Sequence, residues 1–186
     1  MRMSRAAAAE SRARIVEEAA RLLRARGVAG ASVAEVMQAA GMTHGGFYKH
    51  FDSKDALLAE ATTAAFAEAA ARFERRAARR GVEAAVAAYI ADYLSPAHIA
   101  HPEQGCPLAA FGAEAPRHAD ALSQAFAEGV EALIERISRA GASREQTMRQ
   151  LMMLLGAVVA ARAVGSGPLQ QEILAAARGV CDDDAG

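Results

Sequence analysis

Apolar residues recur at helical spacing through most of the chain, and this pattern predicts an all-α protein. Near the N-terminus, Ile15, Ala19 and Leu22 fall on one face of a helix. Ser11 can cap that helix, and Gly27 can end it. We therefore predict a first helix that is capped by Ser11, runs to Arg26 and buries one apolar face.

Two further short helices follow, separated by a tight turn. Ser32 and Glu35 have the spacing of a capping box, which predicts the start of a second helix. Gly41 suits a left-handed residue at the end of that helix. Thr43 can then cap a third short helix that runs to about His50. Three short helices with a tight turn between the last two form a helix-turn-helix, although a generic small helical bundle has a similar pattern.

The rest of the chain is predicted to be helical but less regular. Ser53 can cap a long helix that continues to Arg80 and would be about 40 Å long. Four of the five prolines lie between residues 95 and 116, so this stretch should hold loops and short kinked pieces. Further amphipathic segments predict helices over 82–94, 119–139, 144–164 and from 169 onwards. These patterns give about nine helices, in a helix-turn-helix domain over 1–52 and a larger helical domain over 53–186.

Composition and charge agree with a folded helical protein that has a basic first part. The chain is 53% hydrophobic and 23% charged, and alanine is abundant. Its net charge is −1. Residues 1–80 carry 14 basic and 9 acidic residues, whereas residues 81–186 carry 7 and 13. This asymmetry indicates that only the first part meets an anionic partner, unless it is ordinary solvated surface.

The sequence contains no signal for a membrane, a disulfide framework or a bound metal. The longest apolar run, over 151–161, is too short to cross a bilayer. Cys106 and Cys181 do not make a disulfide framework. The spacing of His98, His101 and Cys106 matches no strong zinc pattern. We expect a cytoplasmic protein that needs no cofactor.

The most specific signal is the run from Gly41 to Leu57, GMTHGGFYKHFDSKDAL. It resembles the signature of the TetR family of bacterial repressors, nearly unbroken from Val33, and the resemblance covers about the first third of the chain. It implies a homodimeric regulator, not an enzyme, that binds a palindromic operator in double-stranded DNA. A small-molecule inducer that the sequence does not identify would release the DNA. The same motif could also serve an activator.

The resemblance implies a set of DNA-contacting residues in and around the third helix. Thr43, His44 and Lys49 can reach base edges, while Gly45 and Gly46 allow close approach to the major groove. The remaining residues have the chemistry or the positions of phosphate contacts. The full set is Ser32, Thr43, His44, Gly45, Gly46, Tyr48, Lys49, His50 and Lys54.

Two phenylalanines one turn apart, Phe47 and Phe51, are predicted to fix the recognition helix to its neighbours. His50 could instead be a packed structural histidine. Gly45 and Gly46 weaken a helix, so we hypothesise that this segment becomes firmly helical only on DNA.

A ligand pocket is expected among aromatic and apolar residues of the second domain, although each could be plain core. The candidates are Tyr89, Tyr93, Cys106, Phe111, Leu122, Phe126 and Met152. Cys106 leaves three interpretations open: a buried hydrophobe, a sensor of oxidants or electrophiles as in some TetR-like regulators, or a nucleophile. A small enzyme would then need His98, His101 or His118 as its base.

The resemblance also implies that the last two helices form a four-helix bundle with those of a second subunit. The stripe on the 144–164 helix supports this, because small residues beside it let helices pack closely, although the stripe could be intramolecular core. The predicted interface residues are Leu151, Leu155, Val158, Val159, Arg162, Ile173, Leu174 and Ala177.

Overall fold

A computed structural model describes residues 5–183 of the chain, with side chains described as far as Gly179. Cys181 and the acidic residues that follow it lie outside the described side chains. In the described part, all regular structure is helical, as the sequence predicts. The α-helices are α1 Arg5–Arg26, α2 Val33–Ala39, α3 Lys54–Arg80, α4 Val82–Tyr93, α5 Pro96–Ala100, α6 Pro107–Phe111, α7 Asp120–Ser138, α8 Arg144–Ala163 and α9 Pro168–Asp183. The 3₁₀ helices are η1 His44–Lys49, η2 Pro102–Gln104 and η3 Gly112–Arg117.

Two of the predicted helices differ from the observed ones. The first helix begins at Arg5, not at Ser11, because the alanines between them are the strongest helix formers. The third helix is present as the 3₁₀ helix η1, but Thr43 precedes it without the predicted capping hydrogen bond from its side chain. The prediction of short pieces between residues 95 and 116 is confirmed. Three of the prolines there, Pro96, Pro102 and Pro107, lie in the first turn of a short helix, where a missing N–H costs little.

The chain divides into two compact units that do not follow the sequence order. The first unit extends to Glu68 and also contains Cys106–Gly129, so the helix-turn-helix shares a core with α6, η3 and the first part of α7. α6 packs against α1. Residues buried in this core include Ile15, Leu23, Met37, Phe47, Phe51, Leu58, Phe111, Leu122 and Phe126.

The second unit contains residues 69–105 and those from Val130 onwards. Ile134, Ile137 and Leu151 form one of its buried clusters, with Tyr89 and other apolar side chains packed against it. Within this unit α8 packs mainly against α9, and α4 and α5 also contact α8. The predicted division into functional domains at residue 52 stays a prediction. No helix in the described part of the chain has the length and apolar character needed to cross a membrane.

Candidate nucleic-acid interface

The turn between α2 and η1 is built by backbone hydrogen bonds around Gly41. Gly41 has φ +72°, a left-handed conformation that favours glycine. The Met42 N–H donates to the Met37 carbonyl at 2.8 Å, and the Gly41 N–H donates to the Gln38 carbonyl at 3.0 Å. These two bonds are the Schellman motif, which satisfies the last carbonyls of α2. The chain therefore leaves α2 in a fixed direction and enters η1 three residues later.

η1 presents polar side chains outward because its apolar side is anchored in the core. Phe47 is 1% exposed and stacks on Phe51 with their ring centroids 5.6 Å apart, which confirms both as core residues. The next residue, Tyr48, is 75% exposed. Thr43, His44, Gly45 and Lys49 are also exposed. An exposed helix that carries hydroxyl, imidazole and ammonium groups can donate hydrogen bonds to base edges and to phosphate oxygens.

Ser32 acts as a helix cap in the structure. Its hydroxyl accepts a hydrogen bond from the Glu35 N–H at 3.2 Å and donates one to a Glu35 carboxylate oxygen at 2.7 Å, which confirms the predicted capping box. Hydrogen bonds from Ser32 lower the pKa of Glu35, and the positive charge of Arg26 adds to this effect. A phosphate contact through the hydroxyl hydrogen of Ser32 would therefore compete with the Glu35 carboxylate.

Two further residues of the predicted DNA-contacting set have structural contacts. Lys54 is half-buried and its ammonium donates to the Val28 carbonyl at 3.2 Å, which ties the start of α3 to the loop between α1 and α2. His50 is also half-buried, and its carbonyl accepts a hydrogen bond from Arg12 Nε at 3.3 Å. For both side chains, DNA contact stays a prediction. Gly46 is half-buried beside Met37, where a Cβ would make only ordinary contact.

Sequence reasoning did not identify Arg12, which holds the end of η1 in place. Its guanidinium lies 4.5 Å from the centre of the Phe51 ring and pairs with Glu60 of α3. Together with its bond to the His50 carbonyl, these contacts join α1, the end of η1 and α3. Arg12 belongs to no motif in the sequence, so only the folded chain reveals this role.

Comparison with known proteins identifies the family. Residues 15–61 match the model of a family described as bacterial regulatory proteins, tetR family. This stretch of the chain is therefore the N-terminal segment of a TetR-family regulator. The matched residues cover the second half of α1, all of α2 and η1, and the start of α3, which are the elements that form the interface described above.

Solved structures share the TetR fold over nearly the whole chain. A TetR-family transcriptional regulator from Agrobacterium tumefaciens has a TM-score of 0.74 and 19% identity, covering 90% of this chain and 95% of that one. NemR of E. coli in its reduced form has a TM-score of 0.73 and 20% identity, covering 91% of this chain and 96% of that one. No curated protein sequence matches significantly. At these identities the likeness establishes the fold alone.

The predicted ligand-pocket residues of this chain fall into separate environments. Phe111, Leu122 and Phe126 are buried in the core of the first unit, where the rings of Phe111 and Phe126 lie 5.2 Å apart, edge to face. Met152 is 48% exposed on α8. Cys106 is half-buried at the N-cap position of α6. Ligand binding by these residues stays a prediction.

The remaining candidates, Tyr89 and Tyr93, lie in the second unit, where the Tyr93 ring contacts the half-buried His98. Their ring centroids are 5.5 Å apart, and His98 Nδ1 lies 2.6 Å from the Tyr93 carbonyl. Burial lowers the pKa of His98, and the positive charge of Arg162 contributes in the same direction. The imidazole is therefore neutral near pH 7 and donates through Nδ1–H. Arg162 donates to the His98 carbonyl at 2.6 Å, so this predicted interface residue has a partner in its own chain.

Half of the predicted dimer-interface residues are buried inside the chain itself. Leu151, Val158, Leu174 and Ala177 are all less than a tenth exposed, because α8 and α9 pack against each other and against neighbouring helices. Leu155, Arg162 and Ile173 are half-buried, and only Val159 of the eight is exposed. The sequence pattern did not separate the inner face of α8 from its outer face, because both are apolar. The exposed apolar residues of α8 and α9 include Met148, Met152, Val159 and Leu169.

Proposed function

We propose that this TetR-family protein is a dimeric cytoplasmic repressor that binds a palindromic operator in double-stranded DNA and releases it when a small molecule binds. The observation that carries DNA recognition is the geometry of η1. Tyr48 and Lys49 are exposed and follow the buried Phe47 in the sequence. The hydrogen-bonded turn at Gly41 precedes η1 and sets the direction in which it begins. A twofold dimer would place two such helices about one DNA turn apart, which requires a palindrome.

The first test is to select bound sequences from random DNA and to measure the size of the protein by light scattering. We expect a dimer that enriches a palindrome, with an affinity that falls steeply as salt rises because phosphate contacts release counterions. The double variant Tyr48→Ala/Lys49→Ala, which alters only exposed side chains, should remain folded and enrich nothing. A folded wild-type protein that enriches no sequence at low salt without added ligand would contradict the proposal.

The second copy is proposed to cover an exposed apolar stripe on α8. Met148, Met152 and Val159 recur at spacings of four and seven residues, so they lie on one side of the helix, and each is more than two fifths exposed. Leu169 adds a fourth exposed apolar side chain on α9. Apolar surface of this kind is typical of subunit interfaces. We therefore assign the dimer contact to this stripe and not to the buried face of α8.

The double variant Met152→Glu/Val159→Glu should dissociate the dimer. It would place four unpaired carboxylates in a twofold interface, each costing about 3–5 kcal/mol if buried, so dimerisation should weaken by far more than 100-fold. Sedimentation equilibrium measures this directly. Ala127→Glu, at an exposed alanine of α7, is the matched control and should leave the dimer intact. If Met152→Glu/Val159→Glu remains a dimer, as Ala127→Glu should, the dimer interface does not include the exposed stripe of α8.

A second candidate function depends on Cys106. In this alternative, oxidation or alkylation of the Cys106 thiol, and not capture of a ligand, releases the protein from DNA. The supporting observation is its place at the N-cap of α6, since α6 packs directly against α1 of the DNA-binding helices. Family membership favours such a regulator over the small cysteine enzyme. A Cys106→Ser variant that still binds the selected DNA but no longer releases it with a thiol oxidant would support the sensor. Unchanged release would leave ligand capture as the mechanism.

A further inference from the structure

In the turn that joins α1 to α2, Val28 forms hydrogen bonds with side chains from two distant parts of the first unit. The Val28 N–H donates to both carboxylate oxygens of Glu114, each at 3.2 Å. The Val28 carbonyl accepts from Lys54 Nζ, also at 3.2 Å. Val28 is itself buried. Both backbone groups of this one residue are therefore satisfied by charged side chains, one from η3 and one from the start of α3.

The Glu114 carboxylate also fits closely against Gly27. Gly27 ends α1 with φ +71°, and a Cβ on this residue would overlap the Glu114 carboxylate. The C-terminal end of a helix carries partial negative charge, so a carboxylate there is electrostatically unfavourable unless specific donors hold it. The Val28 N–H is such a donor. The contact is therefore a specific one between η3 and the turn, not a general stabilisation of the helix end.

A second side-chain contact joins the C-terminal end of η3 to α3. His118, which follows η3, lies 3.6 Å from Asp55 in the first turn of α3, measured from Nδ1 to Oδ1. Ala115, which lies between Glu114 and His118 in the sequence, is buried in the core of the first unit. η3 thus contacts the end of α1 through Glu114 and the start of α3 through His118, and these are the elements that flank α2 and η1 in the sequence.

We propose that Glu114 is a positioning residue for the helix-turn-helix: its carboxylate fixes the Gly27–Val28 turn and with it the orientation of α2 and η1 on DNA. The segment from Gly112 to His118 then sets DNA affinity, because any displacement of η3 releases the Val28 N–H. This inference rests on the proposed DNA-binding function. It adds a named contact through which a change in α6 or η3 reaches the DNA-binding helices.

The variant Glu114→Ala in the full chain tests the proposal, because positioning and simple electrostatics predict opposite changes in DNA affinity. Removing a negative charge near a DNA-binding surface would, by electrostatics alone, strengthen binding. Positioning predicts the opposite. Loss of a hydrogen bond to a charged group should weaken binding to the selected DNA by roughly tenfold, with an unchanged dependence on salt concentration. Glu131→Gln, which removes the exposed ion pair with Arg144 in the second unit, is the control and should leave affinity unchanged.

Amide hydrogen exchange tests the contact independently of DNA. The Val28 amide should exchange roughly tenfold faster in Glu114→Ala than in the wild-type chain, and at the wild-type rate in Glu131→Gln. Faster Val28 exchange with weaker DNA binding supports the proposal. Faster exchange with unchanged or stronger DNA binding overturns the positioning role, and unchanged exchange overturns the contact itself. If the wild-type chain selects no DNA, the proposed function fails, while the exchange result still decides whether Glu114 holds the turn.

A second variant, Gly27→Ala, keeps the charge of Glu114 and should act in the same direction. Its added Cβ would displace the carboxylate from the turn, so both the Val28 exchange rate and the loss of DNA affinity should resemble those of Glu114→Ala. Because an alanine at φ +71° is also strained, Gly27→Ala perturbs the turn through its backbone as well as through the displaced carboxylate. Weaker DNA binding in this variant, which keeps the charge of Glu114, would still exclude a simple charge effect. If Gly27→Ala leaves the Val28 exchange rate and the DNA affinity at wild-type values, the fit between Gly27 and Glu114 is not what holds the turn.

Discussion

Replacing Phe47 by alanine is expected to lower the free energy of unfolding by about 3–5 kcal/mol, the usual cost of removing a fully buried phenylalanine side chain. Phe47 is 1% exposed and stacks on Phe51, so the change leaves a cavity beneath η1. η1 is a single short 3₁₀ helix that contains two glycines, so its own hydrogen bonds contribute little to its position. The packing of Phe47 is what orients it. DNA binding should therefore be lost together with stability.

The neighbouring variant Tyr48→Ala separates folding from recognition. Tyr48 is 75% exposed, so its removal should change stability by no more than about 0.5 kcal/mol. DNA affinity should nevertheless fall by roughly tenfold or more if the phenol contacts the backbone or a base. Thermal unfolding and titration with the selected DNA measure the two effects. If Tyr48→Ala binds DNA as tightly as the wild-type chain, η1 does not contact DNA through this side chain.

The parts of the fold that sequence predicts well are those determined by neighbouring residues. The capping box of Ser32 and Glu35 and that of Ser143 and Gln146 are both confirmed, because each depends on residues only three positions apart. The left-handed Gly41 is confirmed for the same reason. These local signals placed the start of α2 and its end at Gly41 correctly, whereas Ser11 did not mark the start of α1.

The contacts that position this interface could not be predicted, since they join distant parts of the chain. Glu114 and Val28 are 86 positions apart, and Glu114 lies in a proline-rich stretch without periodicity. Arg12 reaches His50, 38 positions later, and the sequence around it predicts only a solvated helix face. The face of α8 that is buried in its own chain was also ambiguous, because Leu151 and Val159 are both apolar and only tertiary packing distinguishes them.

A fragment that ends at Arg80 is expected to be largely unfolded, although it contains the whole helix-turn-helix. The core of the first unit also needs Phe111, Leu122 and Phe126, which the fragment lacks. Burying one large apolar side chain contributes about 1.5–3 kcal/mol, so losing three removes roughly 5–9 kcal/mol. A domain is stable by only about 5–15 kcal/mol in total. Circular dichroism should show low helix content and no cooperative melting transition.

A longer fragment that ends at Gly129 distinguishes two causes of unfolding: loss of the three core residues, and exposure of second-unit residues by the truncation. It restores the three missing core residues, yet it leaves even more of the second unit without its packing partners, since residues 69–105 are then present without α8 and α9. If exposure of second-unit residues caused the unfolding, the longer fragment would be at least as disordered as the shorter one. If the shared core is decisive, the longer fragment should melt cooperatively. A cooperative transition in the fragment that ends at Arg80 would instead mean that α6 and α7 only cover the DNA-binding helices and do not complete their core.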